Sequence, residues 1–315
     1  MTKPLRDQVA LVAGATRGAG RGIARMLGEA GATVWCTGRS ARGAPAVGTP
    51  REKRPETIEE TAALVDAAGG RGIAARVDHG VPTEVEALVR RIEAEHGRLD
   101  VLVNVLGAMQ VTDYRPFWEQ PVDDGWRLVE AWLRPQLVTC RAALPTMVRQ
   151  GSGLVAAVVE GEKVDVQQQL YFDLAHTGIK RLMYDLAEEL APHGVAAVSL
   201  APGFMRTEEV LDSFPATEAN WQEVAVSSEA ARNFGFAGSE TPCFVGRAVA
   251  ALAADPDRRR WSGRVCSSAE LAAAYGFTDV DGRTPNWPSY FATNFPQYAA
   301  PPRTGRRWAV MRVEG

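Results

Sequence analysis

Short runs of consecutive apolar residues alternate along this chain with longer stretches in which apolar positions recur every three or four residues. The runs at 9–13, 32–37, 72–77, 99–104, 154–159, 196–200 and 264–267 have the length of strands covered on both faces. Between them, 21–31, a stretch opening at Glu56, 83–96, 126–149, the stretch ending at Gly194, and 242–254 carry the helical period. On the 83–96 segment, Val85, Leu88, Val89 and Ile92 form one apolar stripe. Regular alternation of the two patterns predicts an α/β fold: a doubly wound, seven-stranded parallel sheet flanked by helices, in a single domain. Pro135 predicts a kink in the 126–149 helix.

The first strand-to-helix turn reads Gly14-Ala15-Thr16-Arg17-Gly18-Ala19-Gly20. Glycines at this junction let the backbone approach a pyrophosphate, and the helix that follows supplies free N–H groups and a positive dipole end. A tight turn with no ligand has the same glycines; the strand-loop-helix-strand context favours a Rossmann-type dinucleotide site. The second strand ends in Gly38-Arg39-Ser40, where an acidic residue would suit a ribose 2′-hydroxyl and an Arg suits a 2′-phosphate. Arg39, with Arg17 opposite, therefore predicts NADP(H) rather than NAD(H); the alternative is two solvated surface arginines.

Composition narrows the class without changing this picture. The 315 residues are 46% hydrophobic with a formal net charge of −3, giving no broad basic field for nucleic acid. No apolar span reaches transmembrane length and the first residues lack a signal-peptide core, so the expectation is a cytoplasmic protein with no membrane partner. Cys36, Cys140, Cys243 and Cys266 are scattered, and the four histidines lack ligand spacing, so neither disulfides nor a metal is expected. The Gly/Pro/Arg-rich segment 41–55 reads as a loop, either a cofactor flap or a mobile surface insertion. The aromatic segment 108–125 either lines a substrate pocket or pins itself to the body.

Further motifs give the pattern a family resemblance over about residues 5–270. Asn104-Val105-Leu106-Gly107 after the fourth strand, 185–194 (Asp-Leu-Ala-Glu-Glu-Leu-Ala-Pro-His-Gly), and Pro202-Gly203-Phe204-Met205-Arg206-Thr207 after the sixth, taken with the glycine loop, resemble the short-chain dehydrogenase/reductase family. The insertion after Arg39 and the long C-terminus resemble its dehydrogenase/reductase member 1 subgroup. The resemblance implies cofactor contacts from Gly14, Thr16, Arg17, Gly18, Ala19, Gly20, Arg39, Ser40, Asp78, His79, Asn104, Leu106, Gly107, His176, Pro202, Gly203 and Thr207. It also implies a domain over 1–283 with a lid near 208–240, and a homodimer or homotetramer built on the long helix. The tail, 284–315, is rich in aromatics (Trp287, Tyr290, Phe291, Phe295, Tyr298, Trp308), as expected of a segment that packs on the body or a partner.

The same register implies that the family's catalytic identities are replaced. Its Tyr falls on Phe172, its Lys on His176, its Ser on Val159 or Glu160, and its Asn near Trp132. In the family the tyrosine hydroxyl protonates the developing alkoxide, its pKa lowered by the lysine. Phe172 has no proton to give, and an ordinary imidazole at His176 is mostly neutral at pH 7. The candidate substitutes are Glu160, at the carboxyl end of a central strand, His176, and Tyr171 if the local register shifts. The alternatives are that Glu160 caps the loop or pairs with Lys163, that Phe172 and His176 pack, and that Tyr171 faces elsewhere. Three functions follow: an atypical NADP(H)-dependent oxidoreductase acting on a small carbonyl or alcohol, an enzyme doing non-redox acid/base chemistry, or a catalytically silent NADP(H)-binding partner protein.

Overall fold

A computed structural model describes residues 3–46, 52–107, 115–162 and 169–296. The order is β1 Val9–Ala13, α1 Gly18–Glu29, β2 Thr33–Gly38, α2 Ile58–Ala67, β3 Arg71–Arg76, α3 Pro82–His96 and β4 Val101–Asn104. It continues with α4 Val122–Gln150, β5 Gly153–Val158, α5 Leu170–Leu190, β6 Val195–Ala201, α6 Glu208–Ser213, α7 Trp221–Ser227, α8 Glu229–Asn233, α9 Pro242–Ala254, β7 Val265–Ser267, α10 Ser268–Tyr275 and α11 Trp287–Asn294. The strands form one sheet in the order β3-β2-β1-β4-β5-β6-β7, and every pairing is parallel.

Alternate side chains of β1 enter different cores. Ala10 and Val12 pack with Ile23 and Leu27 of α1 and Val249 and Leu252 of α9, while Val9 and Leu11 pack with Ile92 of α3, Met147 of α4 and Met183 of α5. Helices therefore cover both faces of the sheet, which is why its strands read as unbroken apolar runs. Burying one such Leu or Ile stabilises the fold by roughly 1.5–3 kcal/mol. The order reverses between β1 and β4, so the carboxyl ends of these two strands open onto a crevice at the switch point.

Local signals set several helix starts. Thr57 accepts from Glu60 N–H while Glu60 accepts from Thr57 N–H, a reciprocal cap on α2. Thr241 caps α9 and Ser267 caps α10. α4 begins at Val122, four residues earlier than the periodicity predicts, and runs on through Pro135 and Pro145. The expected kink at Pro135 does not break the helix, because tertiary packing on α3 and α5 outweighs the loss of single hydrogen bonds.

Candidate active site

The carboxyl ends of β1, β2, β4 and β5 meet the loops after β3 and β6 around a cleft of about 650 Å³. One end is a phosphate cradle. Gly14 has φ +89°, and a Cβ there would lie 2.0 Å from the Val105 carbonyl oxygen; on Gly20 it would lie 2.1 Å from the Gly14 carbonyl oxygen. Only glycine fits either position. Arg17, just before α1, gives it no side-chain cap, and the N–H of Gly18 donates to Glu208 Oε2 at 2.8 Å. That carboxylate, also 3.4 Å from Arg21, shows that the amide end of α1 accepts an anionic oxygen. The residues present therefore fit a dinucleotide pyrophosphate.

Positive charge gathers beside this cradle. Arg17 pairs with Glu56 at 3.1 Å and keeps a buried Nη2 with no partner among the described residues. Arg54, from the insertion after β2, grips the same carboxylate at 2.5 Å. Burial alone would raise Glu56, but the guanidiniums of Arg54 and Arg17 bring its carboxyl down to about 2. Arg39 lines the cleft, partly exposed, 3.8 Å from Asp78. His79 is enclosed: Nε2 meets Thr37 Oγ1 at 2.8 Å and Nδ1 meets Thr139 Oγ1 at 3.0 Å. Burial, opposed by the charge of Asp78, lowers its pKa to about 4, so the ring is neutral.

At the opposite end, rings close the wall. Trp132, Phe172 and His176 form a three-ring cluster, with His176 4.5 Å from Trp132 and 4.3 Å from Phe172 between centroids. Gly107, at φ +140°, makes room for it: a Cβ would lie 2.1 Å from the Trp132 ring. His176 is 4% exposed, accepts from Glu160 N–H at Nδ1 (3.0 Å), and has a buried Nε2 without a partner among the described residues. Burial first, then the charge of Lys180, lower its pKa to about 4. Glu160 lines the cleft as an exposed residue; desolvation by the neighbouring chain raises its carboxyl, Lys180 opposing and Asp173 reinforcing.

The loop after β6 is stitched to Glu240, at the end of the 208–240 segment. Arg206 N–H donates to the Glu240 carbonyl, Glu240 N–H to that of Phe204, and Gly203 N–H to the Glu240 carboxylate at 3.0 Å. Burial pushes that carboxyl up to about 8 against hydrogen bonds from Ser268 and Gly203. The fully buried Arg206 lies 3.9 Å from the Trp221 ring and pairs with Asp281, while Arg283 lies 4.4 Å from that same ring and shares Asp281. Trp287 of α11 packs on Phe204 at 5.4 Å and beside Gly235, and Tyr290 packs on Gly238, so the described part of the tail lies against the β6 loop and the 208–240 segment.

Fourteen of the expected cofactor residues line the cleft: Gly14, Thr16, Arg17, Gly18, Ala19, Arg39, Ser40, Asp78, His79, Leu106, Gly107, His176, Pro202 and Thr207. Gly20, Asn104 and Gly203 stand behind it; Asn104 donates to Cys140 Sγ at 3.3 Å and supports the wall from within. Phe172 backs His176 rather than facing the cleft. Tyr171 turns the other way, against Phe117 and Gly125, so the register shift that would bring its hydroxyl inward does not occur. Phe117 is half exposed and Trp118 largely so, and the 115–125 portion of the aromatic loop does not line the cleft. Lys163, Tyr114, Tyr298 and Trp308 lie outside the described residues. Sequence reasoning missed Glu208 and Glu240, whose partners are distant in the chain, and Glu56, which joins the distant Arg17 to the neighbouring Arg54. No metal-binding cluster occurs among the described residues, and none of their helices is long and apolar enough to cross a membrane.

Comparison with known proteins gives this geometry a family. The short chain dehydrogenase family matches residues 8–217. Dehydrogenase/reductase SDR family member 1 of Mus musculus is 34% identical over 288 residues, covering 90% of this chain and 86% of that protein; the Homo sapiens protein is 33% identical over the same coverage. Among solved structures, a short chain dehydrogenase from Mycobacterium thermoresistibile has a TM-score of 0.69 at 20% identity, covering 90% of this chain and 92% of the other. A short-chain type dehydrogenase/reductase from Mycobacterium marinum has a TM-score of 0.64 at 21% identity, covering 84% and 95%. The chain belongs to the short-chain dehydrogenase/reductase family, oxidoreductases whose fold implies a nicotinamide dinucleotide.

Proposed function

We propose that this chain is an NADP(H)-dependent oxidoreductase of a small carbonyl or alcohol metabolite that works without the family's tyrosine–lysine pair. The observation that carries the reading is one cleft with Arg17 and Arg39 at its phosphate end and the Trp132–Phe172–His176 cluster with Glu160 at the other. The bound dinucleotide supplies or accepts a hydride. The chain's own residues hold the phosphates on α1 and exclude water with Trp132 and the lid. Glu160 lines the cleft and has its carboxyl raised, which supports giving it the role of moving a proton at the reacting oxygen.

The test combines binding with turnover. NADPH is expected to bind more tightly than NADH and to be consumed with some member of an aldehyde and ketone panel. Glu160→Gln then lowers turnover by about 10²–10⁴-fold with little change in NADPH affinity. Tighter NADH binding removes the cofactor assignment, and full turnover in Glu160→Gln removes the proton assignment. The raised Glu160 carboxyl in a site lacking a tyrosine hydroxyl also favours acid/base chemistry without redox; product formed with no net cofactor consumption selects that second reading.

For assembly, Leu137 on α4 and Leu170 and Leu174 on α5 are exposed apolar side chains on the two long helices. We propose that these helices pair with a second copy of the chain; sedimentation at a single-chain mass across micromolar concentrations contradicts it.

A further inference from the structure

The imidazole of His176 has a chemical state that its hydrogen bond dictates. A backbone N–H can only donate, so the 3.0 Å contact from Glu160 N–H requires a lone pair on Nδ1. The ring proton must then reside on Nε2. An imidazolium would place N–H against N–H, so proton uptake breaks this bond. Trp132 and Phe172 flank the ring, and the backbone bond from the end of β5 orients it. What remains is one N–H donor, buried, without a partner among the described residues, on a side chain that lines the cleft. A buried donor left unsatisfied costs about 1–3 kcal/mol. Such a cost at a cleft wall points to an acceptor that arrives with the ligand.

We propose that His176 is a fixed, neutral hydrogen-bond donor whose Nε2–H binds an oxygen atom of the cleft's occupant, and that it does not itself take up or release the proton of the reaction. The acceptor is a hydroxyl or carbonyl oxygen, supplied either by the ribose of the dinucleotide or by the reacting carbonyl of the substrate. On a reacting carbonyl this donor stabilises the growing negative charge without proton transfer, leaving proton movement to Glu160. This division of labour rests on the oxidoreductase reading, but the donor state of His176 does not.

Three measurements test it. Long-range proton–nitrogen NMR of the free protein at pH 7 is expected to show His176 as the neutral Nε2–H tautomer, its signals assigned by their loss in His176→Gln. His176→Leu removes the donor, whereas His176→Gln retains an amide N–H at a similar reach. A ribose acceptor predicts that Leu weakens NADPH binding about tenfold by calorimetry and that Gln restores it. A substrate carbonyl predicts unchanged NADPH affinity, turnover lowered about 10²-fold in Leu with KM nearly constant, and partial rescue by Gln. An Nδ1–H tautomer or an imidazolium at pH 7 overturns the proposal. So does Leu matching the unsubstituted protein in both affinity and turnover, or Gln failing wherever Leu fails, which marks a packing role. If no redox turnover exists at all, the functional reading falls while the tautomer and the affinity series still decide the donor.

Discussion

Two buried histidines stand at opposite ends of one cleft, and burial holds both near a pKa of 4, yet their surroundings differ. His79 has each ring nitrogen matched to a threonine hydroxyl, one on β2 and one on α4, and so ties the sheet to a helix beneath the phosphate end. His176 has one nitrogen matched and one left over. A fully satisfied polar side chain holds structure together; a half-satisfied one at a cleft wall is available to a ligand. The cradle end is otherwise built from backbone and guanidinium charge, and the end proposed for the chemistry from the Trp132–Phe172–His176 rings with Glu160 beside them.

The largest expected effect falls on the backbone cradle. Gly14→Val places a branched side chain at φ +89° against the Val105 carbonyl, so dinucleotide affinity should fall by more than about 10²-fold and thermal stability should drop as well. Affinity within a few-fold of the original breaks the idea that this end is made by backbone approach.

Next is acid sensitivity, which both histidines share. Each ring stays neutral when folded but takes a proton near pH 6.5 when unfolded, so the unfolded chain binds more protons between those values. Stability contributed by each is therefore whole above pH 6.5, is lost as pH falls toward about 4, and amounts to about 3 kcal/mol per ring on that span. Glu56 acts lower: its depressed carboxyl contributes above its unfolded value of about 4.3 and is lost toward about 2. Urea unfolding at pH 7, 5.5 and 4.5 checks this; a flat profile contradicts the burial of both rings.

Smaller is the effect at the mouth. Arg39→Ala should weaken NADPH about tenfold while leaving NADH nearly unchanged, measured by fluorescence titration. Equal losses for both cofactors mean that Arg39 serves the adenosine rather than a phosphate. Smallest is Glu208→Gln, which removes a negative charge from the end of α1 and should tighten dinucleotide binding by a few-fold. Weaker binding would make Glu208 a support of the cradle instead of a rival to its ligand.

The sheet was legible because strands covered on both faces must be continuously apolar, and Val9–Ala13 or Val101–Asn104 carry no other plausible pattern. The cradle was legible because Gly14 and Gly20 meet steric demands that no other residue meets. At the reacting end, register alone brought Trp132, Phe172 and His176 to one place; it did not reveal the bond from Glu160 N–H that sets the imidazole's proton. Arg206 was read only as part of a loop motif, since charged residues are ordinarily solvated, whereas it is fully buried against Trp221 and Asp281. Glu208 was invisible for a topological reason: 190 positions separate it from Gly18, and only the folded chain brings the carboxylate to the helix.

That carboxylate changes what arrival of a dinucleotide means for this chain. An anion already sits on the first turn of α1, beside Arg21, so a pyrophosphate there performs an exchange of anions rather than the filling of an empty positive site. The charge drawn to that turn rises by less than the ligand's own charge. Added salt, which screens the departing and the incoming anion alike, should therefore weaken binding less steeply than the ligand's formal charge suggests, and Glu208→Gln should steepen that dependence.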